Sequence, residues 1–220
     1  HGFLDPEQNP MDRVEDLPTV KRRRIDYLTP DEYERLLEAS QAPVYGGNGA
    51  RVKRRMPLYE MIAVALFAGL RSGELRHLEW EDVDFRRREL WVRNKEGFRT
   101  KDREDRVLPL SGRLQGILEE HRADQEDTSG RLWETSNGTV YSRSNILRRL
   151  KGLHEKADID RDRLNWNLLR HTFASQLVRS GVSIFKVSKL LGHASVRTTE
   201  RNYADLAPNQ LHSELDDAFG

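Results

Sequence analysis

The sequence LYEMIAVALFAG, residues 58–69, predicts a buried helix. Its apolar side chains recur every three or four positions, at Leu58, Ile62, Ala65 and Leu66. This spacing places them on one face of an α-helix, which is expected to pack into a core. Gly69 ends the pattern and Gly73 follows it, so the helix should stop there and a short third helix should begin at Glu74.

A different pattern, typical of β-strands, lies further along the chain. Residues 89–92 and 106–109 flank a polar turn around Gly97, which predicts an antiparallel hairpin. Helical patterns lie on both sides of it, over residues 29–39, 58–69, 74–78, 113–121, 144–156, 167–179, 183–191, 196–203 and 209–218. The predicted fold class is mostly α with a small antiparallel β-sheet, which makes it an α+β fold.

Cap signals predict where two of these helices begin. Thr29 can cap a helix, Pro30 suits its first position, and Glu32 completes a capping box. Gly181 ends one helix and Ser183 can cap the next.

Three segments are expected along the chain. Residues 1–28 contain three prolines and no sustained apolar period, which predicts a linker from an upstream domain. Residues 29–206 form one folded domain in this interpretation, and residues 207–220 form a C-terminal helical tail.

The amino-acid composition excludes several kinds of functional site. The chain has 220 residues, no cysteine and a formal net charge of +1. The absence of cysteine excludes disulfides, thiolate zinc sites and cysteine nucleophiles, and it suits a reducing cytosol. No apolar run approaches the roughly 20 residues of a membrane-spanning helix. Basic clusters at residues 21–24, 51–55 and 86–88 favour a surface that follows phosphates, although each could be an ordinary solvated face.

Two short segments place cations beside predicted helix boundaries. Arg71 stands where the buried helix stops, and a guanidinium held there suits bidentate binding of a phosphate. The alternative is a salt bridge with Glu74 at the helix end. Further along, Asn167, Arg170 and His171 share one helix face, which is either the wall of a site or an ordinary helix surface.

A third segment contains a histidine and, about one helix later, a tyrosine. His193 follows a glycine at a predicted helix end, and Tyr203 lies about one helix later. Taken singly, residues of these two types are more often structural than catalytic.

Together the segments resemble the phage-integrase family of tyrosine recombinases. The matching parts are a G-L-R-x-x-E-L box at residues 69–75, a hairpin lysine at Lys101 eight residues before Pro109, an H-x-L-R-H-like box at residues 167–171, an L-L-G-H segment at residues 190–193, a T-T pair at residues 198–199, and Tyr203. Their order and spacing agree from Thr29 to Leu206, so the resemblance covers most of the chain.

The resemblance implies a catalytic set and a role for each member. The set is Arg71, Lys101, Asn167, Arg170, His193 and Tyr203. The arginines would hold the non-bridging oxygens of a phosphodiester, with His193 and Asn167 as further donors. Tyr203 would attack phosphorus to form a 3′-phosphotyrosine, and Lys101 would protonate the leaving 5′-oxygen. No cofactor and no metal are expected.

This sequence departs from the family pattern at two points. Asn167 stands where the family most often has histidine, and an amide cannot act as a base near neutral pH. Tyr203 lies ten positions after His193, where nine positions are common in the family. The hairpin also carries Lys95, a second candidate for the role given to Lys101.

The function implied by the resemblance is site-specific DNA recombination or integration. Double-stranded DNA is the expected partner, with a tetramer on paired DNA sites and a monomer in isolation. The upstream domain would then bind DNA, and the protein would be cytoplasmic, encoded by a bacterium or a phage and acting on the chromosome. Two alternatives remain: DNA relaxation like that of a type IB topoisomerase, and a non-catalytic DNA-binding relative, which Asn167 favours.

Overall fold

A computed structural model describes residues 25–41, 56–101, 104–125 and 127–208. The helices in these ranges are α1 Pro30–Gln41, α2 Leu58–Ala68, α3 Ser72–Arg76, α4 Gly112–Ala123, α5 Arg143–Lys151, α6 His154–Ala157, α7 Trp166–Arg179, α8 Ile184–Leu191 and α9 Val196–Tyr203. The strands are β1 Val83–Asp84, β2 Glu89–Val92 and β3 Arg106–Pro109. Short 3-10 turns occupy Trp80–Asp82 and Ala204–Leu206. The predicted mostly α fold with a small antiparallel sheet is confirmed.

The sheet has the strand order β1-β2-β3, and both pairings are antiparallel. Leu90 on β2 pairs with Leu108 on β3, and both side chains are buried. The next residue on β3, Val107, is exposed, as expected where successive side chains point to opposite faces of a strand. The predicted hairpin is therefore present, with the two-residue β1 added at its edge.

Helix α2 is buried, as its sequence predicts, and it lies at the centre of the main core. Residues 61–65 are fully buried, and the helix packs against α1, α4 and α7. Gly69 caps it in the left-handed conformation, with φ of 65°. A Cβ there would lie 2.3 Å from the ring of Phe173 on α7, so only glycine allows the two helices to approach this closely.

The last three helices form a second, smaller core. Its buried members are Ala174, Val178, Val187, Leu191 and Tyr203, from α7, α8 and α9. Because α7 also contributes to the main core, it connects the two clusters.

The predicted caps are present at both helix starts. The Thr29 amide donates to the Glu32 carboxylate at 2.8 Å, and the Glu32 amide donates to the Thr29 hydroxyl at 3.3 Å. Ser183 accepts from the Lys186 amide at the start of α8.

The structure differs from the sequence prediction in two places. The helix predicted over residues 144–156 is two helices, because the chain turns at Gly152, whose amide bonds back to carbonyls of α5. Leu28, assigned to the linker, is fully buried and donates its amide to Thr172 at 2.9 Å, so the folded part begins before Thr29.

Several predicted features lie outside the described residues. These are the linker up to residue 24, the basic clusters at 21–24 and 51–55, and the helix predicted over 209–218. None of the helices that the structure does describe is long and apolar enough to cross a bilayer.

Candidate active site

Arg170 is the most deeply buried cation of the predicted set. It lies on α7 with 6% of its surface exposed. Its guanidinium donates to the carbonyl of Gly69 at 2.7 Å and to the carbonyl of Leu191 at 2.5 Å. The side chain therefore joins the end of α2 to the end of α8.

Arg71 lies beside it, with its guanidinium shared between two acceptors. One terminal nitrogen donates to the carbonyl of Gly192 at 3.0 Å, and the other donates to Glu74 at 3.1 Å. The salt bridge that the sequence left as an alternative is thus present, but it uses only part of the guanidinium. The same side chain also reaches α8, 121 residues away along the chain.

The backbone acceptors for both arginines are carbonyls at helix C-termini. These groups lack partners inside their own helices and carry the negative end of the helix dipole. Gly69 and Gly192 are the capping residues of α2 and α8, and both are left-handed, with φ of 65° and 63°. The glycines of the two sequence boxes therefore form the helix ends to which the arginines bind.

Arg106, at the start of β3, belongs to the same cluster although it does not stand out in the sequence. Its two terminal nitrogens donate to both oxygens of Glu74, at 3.0 and 2.7 Å. Its Nε donates to the carbonyl of Leu190 at 3.1 Å. The pairing spans 32 residues, and the only local signal for it is an arginine in the strand next to the predicted hairpin lysine.

The buried Glu74 carboxylate remains ionised because of these contacts. Burial alone would raise its pKa, but the hydrogen bonds and charge of Arg106 outweigh burial and hold the pKa below its ordinary value. Three guanidiniums, those of Arg71, Arg106 and Arg170, thus surround one carboxylate. The cluster carries three positive charges and one negative charge, an excess of two positive charges that suits an anion.

Arg170 remains charged at neutral pH in spite of its burial. Burial and then the charge of Arg71 lower its pKa to about 10. A desolvated guanidinium that stays protonated is a strong and preorganised donor to a phosphate oxygen.

Tyr203, the last residue of α9, is 1% exposed and belongs to the second core. Burial raises the pKa of its phenol to about 12, and the nearby charge of Arg170 offsets that rise only in part. Its hydroxyl oxygen lies 2.6 Å from Nδ1 of His171, the residue after Arg170 on α7. The sequence places His171 near Arg170 but does not indicate this contact with Tyr203.

His193 lies in the turn between α8 and α9. Its Nδ1 shares a hydrogen bond with the buried hydroxyl of Thr199 at 2.8 Å, which orients the ring. Together with Arg106, it lines an open groove of about 650 Å³ between β3 and α8. The turn thus places His193 next to the arginine cluster.

The two hairpin lysines have different surroundings. Lys95 is largely buried, and its ammonium donates to Glu79 at 2.8 Å, to Asp82, and to the carbonyl of His77 at 3.2 Å. Lys101 is exposed at the turn that precedes β3. Lys95 is therefore held by acidic groups of the protein itself, whereas Lys101 is exposed to solvent.

Asn167 is not joined to the cluster. It is exposed on the first turn of α7, and its side chain makes no hydrogen bond to another residue in the described part of the chain. Among the described residues, no group of three histidine, aspartate or glutamate side chains could hold a metal ion.

We expect Arg106→Met to lower the free energy of unfolding by about 3 kcal/mol or more at neutral pH, because it removes one partner of a buried ion pair. The pKa of Glu74 is lowered by folding, so its contribution is present above the unfolded pKa and is lost as pH falls through the folded pKa. Urea unfolding should thus show a difference between variant and wild type that shrinks below about pH 4. Arg87→Met, on an exposed turn, is the control. Equal stability at neutral pH would contradict this view of the cluster.

The chain is similar in sequence and in fold to known proteins. Residues 26–210 match the model of the phage integrase family. A tyrosine recombinase of Thermosipho africanus (strain TCF52B) is 33% identical over 87% of this chain and 61% of its own length. The crystal structure of XerA recombinase is 27% identical, with a TM-score of 0.67, over 90% of this chain and 66% of that one.

A second solved structure shares the fold. XerH site-specific recombinase bound to palindromic difH substrate, in a post-cleavage complex, is 19% identical with a TM-score of 0.68. The match covers 91% of this chain and 55% of that one. The chain spans about three fifths of the length of the Thermosipho africanus recombinase.

Proposed function

Because the chain belongs to the phage integrase family, we propose that it is the catalytic domain of a site-specific DNA recombinase. In this proposal Tyr203 attacks a phosphodiester and becomes joined to the 3′-phosphate, while the 5′-oxygen leaves. The phosphotyrosine keeps the energy of the broken bond, so the 5′-hydroxyl of a second strand can reverse the step. The observation that carries the proposal is the convergence of Arg71 and Arg170 on two helix ends near the buried Tyr203.

The arginine cluster supports this chemistry through its charge. A phosphodiester resists attack because its anionic oxygens repel a nucleophile, and negative charge grows further in the transition state. Guanidiniums already held by backbone carbonyls need no rearrangement to offset that charge. In the proposal Arg71 and Arg170 bind the non-bridging oxygens, and His193 donates from the groove beside them.

We propose double-stranded DNA as the partner, bound as a tetramer on paired sites by a protein that is monomeric in isolation. The XerH complex with difH substrate supports DNA as the ligand of this fold. The exposed arginines of residues 86–88 add positive charge to the described surface. Phosphate contacts of this kind make binding weaker as salt concentration rises.

A suicide substrate tests the proposal directly. In a duplex nicked just beyond the scissile phosphate, cleavage releases a short fragment that carries the 5′-hydroxyl. When this fragment diffuses away, religation is prevented and any covalent adduct accumulates. The proposal expects a protein–DNA band that survives denaturant. Binding without such a band would instead fit the non-catalytic relative. Relaxation of supercoiled plasmid with no dependence on sequence would fit the topoisomerase-like alternative.

The leaving-group step distinguishes the two hairpin lysines. We expect Lys101→Ala to slow cleavage by about a hundredfold, as for loss of a general acid. With sulfur in place of the leaving 5′-oxygen, the rate should return close to wild type, because a thiolate leaves without a proton.

Lys95→Ala is the matched comparison on the same hairpin. It removes a partner from the buried Asp82 and should lower stability, with no selective recovery on the sulfur substrate. If the sulfur substrate restored the cleavage rate of Lys95→Ala but not that of Lys101→Ala, Lys95 would be the general acid instead of Lys101. Single-turnover rates on both substrates and thermal melting are the measurements.

A further inference from the structure

The contact between Tyr203 and His171 gives the nucleophile a proton acceptor. A phenol attacks phosphorus only as it loses its proton, and burial makes that loss harder for Tyr203. Asn167 cannot accept the proton, since an amide is not a base near neutral pH, and it lies exposed on α7. Nδ1 of His171, by contrast, is 2.6 Å from the phenolic oxygen, within the reach required of a general base.

We propose that His171 is a further catalytic residue, which accepts the phenolic proton of Tyr203 as the phenol attacks the phosphate. The inference rests on the function proposed above. It assigns to His171 the proton transfer that the family resemblance would give to the position of Asn167.

The step balances in atoms and charge. The oxygen of Tyr203 forms a bond to phosphorus, and the bond between phosphorus and the 5′-oxygen breaks. The phenolic proton moves to Nδ1 of His171, and a proton from Lys101 moves to the 5′-oxygen. In the rejoining step the imidazolium returns its proton to the departing phenolate, so the same group acts as base and then as acid.

The groups around His171 keep its ring in the neutral form that can accept a proton. Burial and the adjacent charge of Arg170, on the same helix, lower the pKa of the imidazole. Asp26, from the segment before α1, opposes this, but its carboxylate is paired with Arg163 at 2.9 Å. Tyr203 faces the ring from α9. The sum is a histidine that is unprotonated at neutral pH and becomes protonated only at lower pH.

His171→Asn is the sharpest test, because the Asn oxygen occupies nearly the position of Nδ1. It can accept the hydrogen bond from Tyr203 but cannot take the proton. The assay is single-turnover adduct formation on the nicked duplex as a function of pH. Wild type should lose activity as pH falls through the lowered pKa of His171. His171→Asn should be slower by about a hundredfold at neutral pH and should lack that acid limb.

Chemical rescue provides a second readout that a structural role would not produce. His171→Ala leaves a space beside Tyr203, and added imidazole should restore part of the rate by serving as an external base. His154→Gln, which changes a histidine on α6 outside the site, should behave as wild type with and without imidazole.

Three results would overturn the proposal. His171→Asn could cleave at the wild-type rate or faster, which would mean that His171 only holds Tyr203 in place. It could be slow yet keep the acid limb, or His171→Ala could fold and bind DNA but show no rescue. If wild type itself forms no adduct, the proposed function fails before any comparison of His171 variants.

Discussion

Tyr203→Phe is expected to abolish the covalent protein–DNA adduct while leaving DNA binding close to that of wild type. The substitution removes only the phenolic oxygen, which is the attacking atom in the proposed reaction. The ring stays in the second core, where the tyrosine is 1% exposed. The lost hydrogen bond to His171 should cost about 1 kcal/mol of stability, too little to unfold the domain.

The measurement is a denaturing gel after incubation with nicked duplex, beside a binding titration on the same DNA. Tyr33→Phe, on α1 and outside the cluster, is the control and should form adduct normally. A persistent adduct in Tyr203→Phe would show that another residue is the nucleophile. Loss of DNA binding together with loss of the adduct would show that the substitution disrupts the fold.

Arg170→Lys should reduce the rate of cleavage by about a hundredfold or more, the usual cost of losing one transition-state donor. Lysine keeps the charge, but a single ammonium cannot bond the carbonyls of Gly69 and Leu191 and also present a planar pair of donors to phosphate. We expect a similar loss in Arg71→Ala, where the replaced side chain is more exposed and the fold is less affected.

A neutral substrate separates charge from structure in these variants. With a methylphosphonate in place of the scissile phosphate, one anionic oxygen is gone and less positive charge is needed. The deficit of Arg71→Ala should therefore shrink on that substrate. Arg179→Lys, at the exposed end of the same helix as Arg170, is the control. An unchanged deficit on both substrates, in a protein that melts like wild type, would contradict direct charge stabilisation.

The parts of this structure that could be predicted from sequence are those with local causes. Helix α2 follows from its apolar spacing, the start of α1 from its Thr29 capping box, and β2 and β3 from their flanking turn. The burial of Leu28 has no local signal in the sequence, because its amide bonds to Thr172, 144 residues away.

The long-range contacts within the candidate site have no local cause in the sequence and could not be predicted from it. Arg71 and Arg170 are identified through a family resemblance, since nothing local indicates that both bind carbonyls at glycine-capped helix ends. The contacts of Arg106 with Glu74 and of His171 with Tyr203 span 32 residues each and leave no periodic signal. The first contact joins β3 to α3 and the second joins α7 to α9, so both depend on how distant elements meet in the folded chain.

The division of the core into two clusters makes the proposed DNA cleavage depend on the smaller cluster being folded. Small packed units open more readily than whole domains, because less apolar area holds them closed. The carbonyls of Leu191 and Gly192, which accept from the two arginines, and Tyr203, the proposed nucleophile, all lie in the α8–α9 unit. Detachment of that unit would remove Tyr203 and take one carbonyl partner from each arginine, while Arg170 would keep its bond to Gly69 and Arg71 its bond to Glu74. In the proposed reaction, a molecule with this unit detached would have no nucleophile and would therefore not cleave DNA.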